Sequence, residues 1–238
     1  SAGTNYFYRV RSRANNCVST SNSSTITALT TISPPVLSEE TSNTATSFVA
    51  NWSSAAGVNT YLLYVYSDSN LQNLVVNYSG KPVTGNSHTV SGLLHGKNYY
   101  YRLKSSGPNA VSDYSSFITA HTVMPPPVAT SASNVSNTSF RANWNAVSET
   151  VNYLIYASAF SDFRSFVSGG NGFSVPGAAT NHVINGLYAG KTYYYKLVAV
   201  GESHTSVESN VVAITTAITP PTASSGTSVS TTSFQANW

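Results

Sequence analysis

Phe48-Val49-Ala50-Asn51-Trp52 decides the reading, because it returns as Phe140-Arg141-Ala142-Asn143-Trp144 and again as Phe234-Gln235-Ala236-Asn237-Trp238. The three tryptophans stand 92 and then 94 residues apart. Phe48, Ala50 and Trp52 alternate with Val49 and Asn51, the period of two that gives a strand one apolar face. Other elements keep the same phase. Asn5-Tyr6-Phe7-Tyr8-Arg9-Val10 recurs as Asn98-Tyr99-Tyr100-Tyr101-Arg102-Leu103 and as Thr192-Tyr193-Tyr194-Tyr195-Lys196-Leu197. Tyr61-Leu62-Leu63-Tyr64 recurs as Tyr153-Leu154-Ile155-Tyr156, and proline pairs mark Pro34-Pro35, Pro126-Pro127 and Pro220-Pro221. Internal repetition therefore sets the architecture.

A repeat of roughly 93 residues is a domain, too long for one turn of a solenoid. Proline cannot donate to a sheet ladder and stiffens the chain, so the proline pairs suit the junctions. Complete units are expected at 34–123 and 124–217, with 1–33 the tail of a preceding unit and 218–238 the start of a following one. The chain is on this reading a window on a longer protein. Within a unit Tyr61, Leu63 and Val65 share a face, as do Tyr99, Tyr101 and Leu103, while 88–90 and 119–123 read as further short strands. No stretch shows a helical period. Seven short strands per unit make the fold class all-β: tandem antiparallel sandwiches.

Composition closes off other classes. Asp, Glu, Lys and Arg make up 8% of the 238 residues, against roughly 25% in an average soluble protein, which excludes a coiled coil or a charged tail. The 41% hydrophobic content, with 16 Tyr and 9 Phe, is enough to fill cores, so general disorder is excluded too. No apolar run approaches the roughly 20 residues of a membrane span. A net charge of +3 over the whole chain does not point to nucleic acid. Cys17 is the single cysteine, so no intrachain disulfide framework exists, and it reads as an inert thiol or an intermolecular attachment point. The wealth of Ser, Thr, Asn and Tyr suggests an extracellular surface.

The motifs resemble the fibronectin type III domain. A proline at the start, Trp on the second strand and Tyr on the third are followed by Gly92-Leu93 with Tyr99, and by Gly186-Leu187 with Tyr193. This last spacing looks like the tyrosine corner, in which the phenol bonds back to the backbone upstream. Tyr6 occupies the matching place in 1–33. The resemblance makes 1–33 the F–G strands of one domain and 218–238 the A–B strands of another, with Trp52, Trp144 and Trp238 as core tryptophans. One departure lies in the E–F turn, where the family often has Pro-Gly and this chain has His95-Gly96 and Ala189-Gly190. The wording of the repeats is similar to that of large exported proteins of Bacteroidota, often type IX secretion substrates that serve as surface adhesins or carry hydrolases.

Chemistry is harder to find. The eight acids, Glu39, Glu40, Asp68, Asp113, Glu149, Asp162, Glu202 and Glu208, recur in no pair, whereas a glycosidase needs two carboxylates at a fixed separation. They read as solvated loop charges. Glycines form no phosphate loop. His88 and His182 share a repeat position and read as strand-end side chains bonded to backbone; His95, His121 and His204 follow no ligand spacing. No catalytic residue, cofactor or metal is expected.

One candidate surface remains. If Tyr99 and Tyr101 face the core, Tyr100 faces out, as do Phe7 and Tyr194, and Tyr64 and Tyr156 share that sheet face. Such aromatics either form a platform for a glycan or protein partner, or pair across strands to stabilise the sheet. Arg102 and Lys196 flank them, with stems able to cover the rings. The expected function is a non-catalytic repeat segment of a long extracellular or cell-surface protein, a semi-rigid spacer in adhesion or surface display. Its partners are the neighbouring domains of the same chain, and a place in a larger assembly fits the cut repeats. Alternatives are carbohydrate-binding or spacer modules of a secreted polysaccharide-degrading enzyme, and a eukaryotic receptor ectodomain.

Overall fold

A computed structural model describes residues 2–238, and all its regular elements are strands. The first stretch holds β1 (Asn5–Tyr8), β2 (Arg13–Ala14), β3 (Cys17–Val18) and β4 (Ile26–Leu29), paired β1–β4 and β2–β3 as one long hairpin. Seven strands follow: β5 (Leu37–Thr41), β6 (Ser47–Trp52), β7 (Thr60–Tyr66), β8 (Leu74–Thr84), β9 (Ser87–Ser91), β10 (Asn98–Ser106) and β11 (Ile118–His121). Seven more repeat the plan: β12 (Ala129–Ser133), β13 (Phe140–Trp144), β14 (Asn152–Ser158), β15 (Asn171–Pro176), β16 (Asn181–Ile184), β17 (Thr192–Val200) and β18 (Val212–Thr215). The last pair is β19 (Ser224–Thr227) with β20 (Gln235–Asn237).

The chain divides into two compact units, residues 2–124 with 202–204, and 125–201 with 205–238. In the first, a three-stranded sheet β5-β6-β9 faces a four-stranded sheet β11-β10-β7-β8. In the second, β12-β13-β16 and β15-β14-β17-β18 have the same order. All the pairings are antiparallel.

Alternation builds each core. Phe48, Ala50 and Trp52 on β6 are buried against Tyr61, Leu63 and Val65 on β7 and Tyr99, Tyr101 and Leu103 on β10. Fully burying one such large side chain is worth about 1.5–3 kcal/mol. Trp52 stands edge-on to Tyr61 at 5.6 Å, and Trp144 to Tyr153 at 5.4 Å; Phe48 and Tyr101 lie 5.7 Å apart, as do Phe140 and Tyr195. One core has been built twice.

The asparagine of the repeated pentapeptide has a local task. The first strand of each repeat carries a bulge, at Ser38/Thr41, Thr130/Ser133 and Ser224/Thr227. Asn51 Nδ2 donates across it to the Glu39 carbonyl at 2.9 Å and to Thr41 Oγ1 at 3.2 Å. Asn143 and Asn237 make the equivalent bonds to Ser131 and Ser133, and to Ser225 and Thr227. In the E–F turns Gly96 and Gly190 both hold φ at +66°, a conformation that favours glycine. The altered residue before each glycine leaves that turn intact.

Candidate functional site

The three-tyrosine run sorts its members by strand parity. Tyr99 points inward from β10, and its Oη accepts the Leu94 N–H at 2.9 Å. Tyr193 Oη likewise accepts the Tyr188 N–H at 2.9 Å. Tyr101 reaches across the core, donates from Oη to the Ser38 carbonyl at 2.8 Å, and has its phenol pushed up to about 12 by burial. Tyr195 makes the matching bond to the Thr130 carbonyl, and burial raises its pKa too. The middle tyrosine alone turns to the outer face.

The positions equivalent by repeat differ in exposure. Trp238 is 81% exposed and Tyr6 47%, where Trp52 and Trp144 are buried. Tyr6 lies on the two-stranded sheet β1–β4, and Trp238 follows the last strand of the two-stranded sheet β19–β20.

On the outer face of the first sandwich, Tyr64 lies opposite Arg102 and Tyr66 opposite Tyr100. Tyr64 meets the edge of Tyr114 at 5.1 Å, and burial together with Tyr114 raises its pKa. Tyr100 meets Phe117 at 6.0 Å, again edge to face. The Arg102 guanidinium sits 3.6 Å from the centre of the Tyr114 ring and donates to Tyr66 Oη at 2.8 Å. Lys104 Nζ lies 4.1 Å over the same Tyr114 ring. The cations therefore cover Tyr114 and Tyr66, in place of the Tyr100 and Tyr64 rings expected from the sequence.

In the second sandwich Tyr156 lies opposite Lys196 and packs on Phe166 at 5.9 Å; Tyr194 lies opposite Ser158 on the same sheet. Lys196 Nζ is 4.3 Å above Phe163 and 2.7 Å from Glu208 Oε1. Tyr64 and Tyr100 thus share one sheet, Tyr156 and Tyr194 another, and Phe7 stands on β1 at 68% exposure. The residues that lean on this face, Tyr114, Phe117, Phe163 and Phe166, come from irregular segments. Their signal in the sequence is an aromatic set among Ser, Asp and Arg, with Phe163 and Phe166 in the run Phe160-Ser161-Asp162-Phe163-Arg164-Ser165-Phe166.

Two further expectations change. His88 and His182 are not bonded to backbone: His88 packs edge-on to Tyr78 at 6.2 Å with its Nε2 buried and unpartnered, and His182 stacks on Phe173 at 4.5 Å. Burial lowers the pKa of both, and nearby Lys81 adds to the effect on His88. Glu40 is not a solvated charge, since its side chain is 11% exposed and its Oε1 lies 3.1 Å from His121 Nδ1. Among the described residues, no three His, Cys, Asp or Glu side chains gather in a way that could hold a metal.

The strand order and the paired sandwiches are those of tandem fibronectin type III domains. A two-domain fibronectin type III segment from chicken tenascin matches 77% of this chain and 99% of its own length, at TM-score 0.60 and 20% identity. The FN1–FN3 domains of chicken CNTN1 match 91% of this chain and 78% of theirs, at TM-score 0.36 and 15% identity. No protein-family model and no curated protein matches the chain.

Proposed function

We propose that this chain is a non-catalytic repeat segment of an extracellular or cell-surface protein, serving as a spacer in adhesion or surface display. The observation that carries the reading is the duplicated core. Phe48, Trp52, Tyr61 and Tyr101 in one sandwich, and Phe140, Trp144, Tyr153 and Tyr195 in the next, fill equivalent positions, so each sandwich closes on its own side chains. Proline pairs at Pro34-Pro35 and Pro126-Pro127 restrict the backbone where each repeat begins. The outer tyrosines support the same role, because Tyr114, Phe117 and Phe166 already pack against them in aromatic pairs, each worth about 0.5–1.5 kcal/mol. Export from a bacterium of the Bacteroidota by type IX secretion belongs to this proposal, on the wording of the repeats.

Pulling the chain from its two ends tests the mechanical role. Two unfolding events are expected, each releasing roughly 90 residues, or about 300 Å of extended chain. A single event, or extension without force peaks, would remove the spacer reading. Surface proteolysis of intact source cells tests the location: protection until the cells are lysed would place the segment inside.

A further inference from the structure

The chain's whole formal charge resides in one hairpin. Arg9, Arg11 and Arg13 precede the first acidic residue, Glu39, and the remaining eight Lys and Arg are matched by eight Asp and Glu. The three arginines stand at alternate positions, Arg9 and Arg11 between β1 and β2 and Arg13 on β2, and all three are exposed. Side chains of the returning segment between β3 and β4 hold the first two in place. Arg9 Nε donates to Thr25 Oγ1 at 2.7 Å and Arg11 Nε to Asn22 Oδ1 at 2.5 Å. Bonding through Nε leaves the terminal amino groups of each fork for a ligand. Arg13 is exposed beside the turn, and Phe7 begins the row at 68% exposure.

The same row recurs in the two sandwiches, where its cations are already used. Tyr100, Arg102 and Lys104 stand at the places of Phe7, Arg9 and Arg11, with both cations over Tyr114. Tyr194 and Lys196 come next, and Lys196 is paired with Glu208. Glu208 occupies the place that Tyr114 holds one repeat earlier, so the third row carries its own carboxylate. Among the described residues the hairpin row has neither ring nor carboxylate against its arginines.

We infer that Phe7, Arg9, Arg11 and Arg13 form a docking row for a uronic-acid-bearing polysaccharide. Planar guanidinium forks match planar carboxylates in bidentate geometry. Three exposed guanidiniums within one hairpin suit a polymer of repeating negative charge. An exposed phenyl ring in line with them offers a face on which a sugar can stack, a feature that an acidic peptide does not need. The inference stands apart from the spacer role, since the arginines lie outside both duplicated cores.

Binding of the whole chain to immobilised polygalacturonate tests it, with neutral dextran, dextran sulfate and poly-glutamate as competitors. Retention that weakens with salt is expected, with polygalacturonate the strongest competitor and dextran without effect. Replacing all three arginines (Arg9→Gln, Arg11→Gln, Arg13→Gln) should weaken binding at least tenfold with the melting temperature unchanged. Arg→Lys at the same places should give an intermediate loss, and Phe7→Ala a few-fold one. A control that removes as much charge elsewhere, Lys81→Gln with Arg141→Gln and Lys191→Gln, should leave binding as it was. Stronger competition by dextran sulfate or poly-glutamate would overturn the assignment, as would an equal loss in the control.

Discussion

Tyr101 and Tyr195 are fully buried, and each carries a hydroxyl that a core can tolerate only if it is bonded. Their partners, the Ser38 and Thr130 carbonyls, belong to the opposite sheet, so each phenol ties the two layers together. Removing the hydroxyl leaves a carbonyl unmatched, at about 1–2 kcal/mol. Tyr101→Phe and Tyr195→Phe should each lower stability by that amount in urea titrations, while Tyr100→Phe, on the outer face, should change it by less than about 0.5 kcal/mol. Asn51 follows similar logic at smaller scale. Its side-chain amide satisfies two oxygens across the bulge of β5. Asn51→Ala should cost about 1 kcal/mol in a thermal melt, and Asn143→Ala the same, because the clamp is identical.

At the scale of elements, serine keeps the long strands β10 and β17 satisfied beyond their backbone partners. Leu103 and Ser105 donate their N–H groups to Ser115 Oγ at 3.0 Å and Ser112 Oγ at 2.9 Å, and Leu197 and Ala199 do the same to Ser209 and Ser206. Ser112→Ala should therefore orphan the buried Ser105 N–H, cost about 1–3 kcal/mol, and speed hydrogen exchange at Ser105 most; unchanged exchange there would refute it. This clasp was hidden in a stretch that reads only as polar loop. Strands β6, β7, β9, β10 and β11 were legible because their inner residues alternate. Strand β5 was not, since Leu-Ser-Glu-Glu-Thr offers one apolar side chain and a bulge, and the edge strand β8 owes its place to pairing with β7. The outward tyrosines were legible by parity, but the rings against them were not, because Tyr114, Phe117 and Phe166 sit in segments without a period.

Across the whole molecule, low charge leaves few groups through which pH can act, and two equivalent histidines are among those shifted in the neutral-to-mildly-acid range. His88 and His182 lie against Tyr78 and Phe173 at the same place in each sandwich. Burial disfavours their charged form, so their folded pKa values fall below the unfolded value of about 6.5. The unfolded chain then takes up protons first as pH drops. Stability is fully present above about 6.5 and is lost as pH falls from there through the folded pKa. Burial shifts His204 in the same direction. Asp68 and Asp162 act in another window: backbone N–H groups of Asn73 and Arg164 hold their carboxyls below the usual range, so their contribution fades only below about pH 4. Melting temperature should accordingly decline between pH 7.5 and pH 5.0. His88→Gln with His182→Gln should flatten most of that decline while leaving the drop below pH 4 in place. A decline that survives both substitutions would assign the acid sensitivity to other groups, His204 first, and would deny His88 and His182 their part in it.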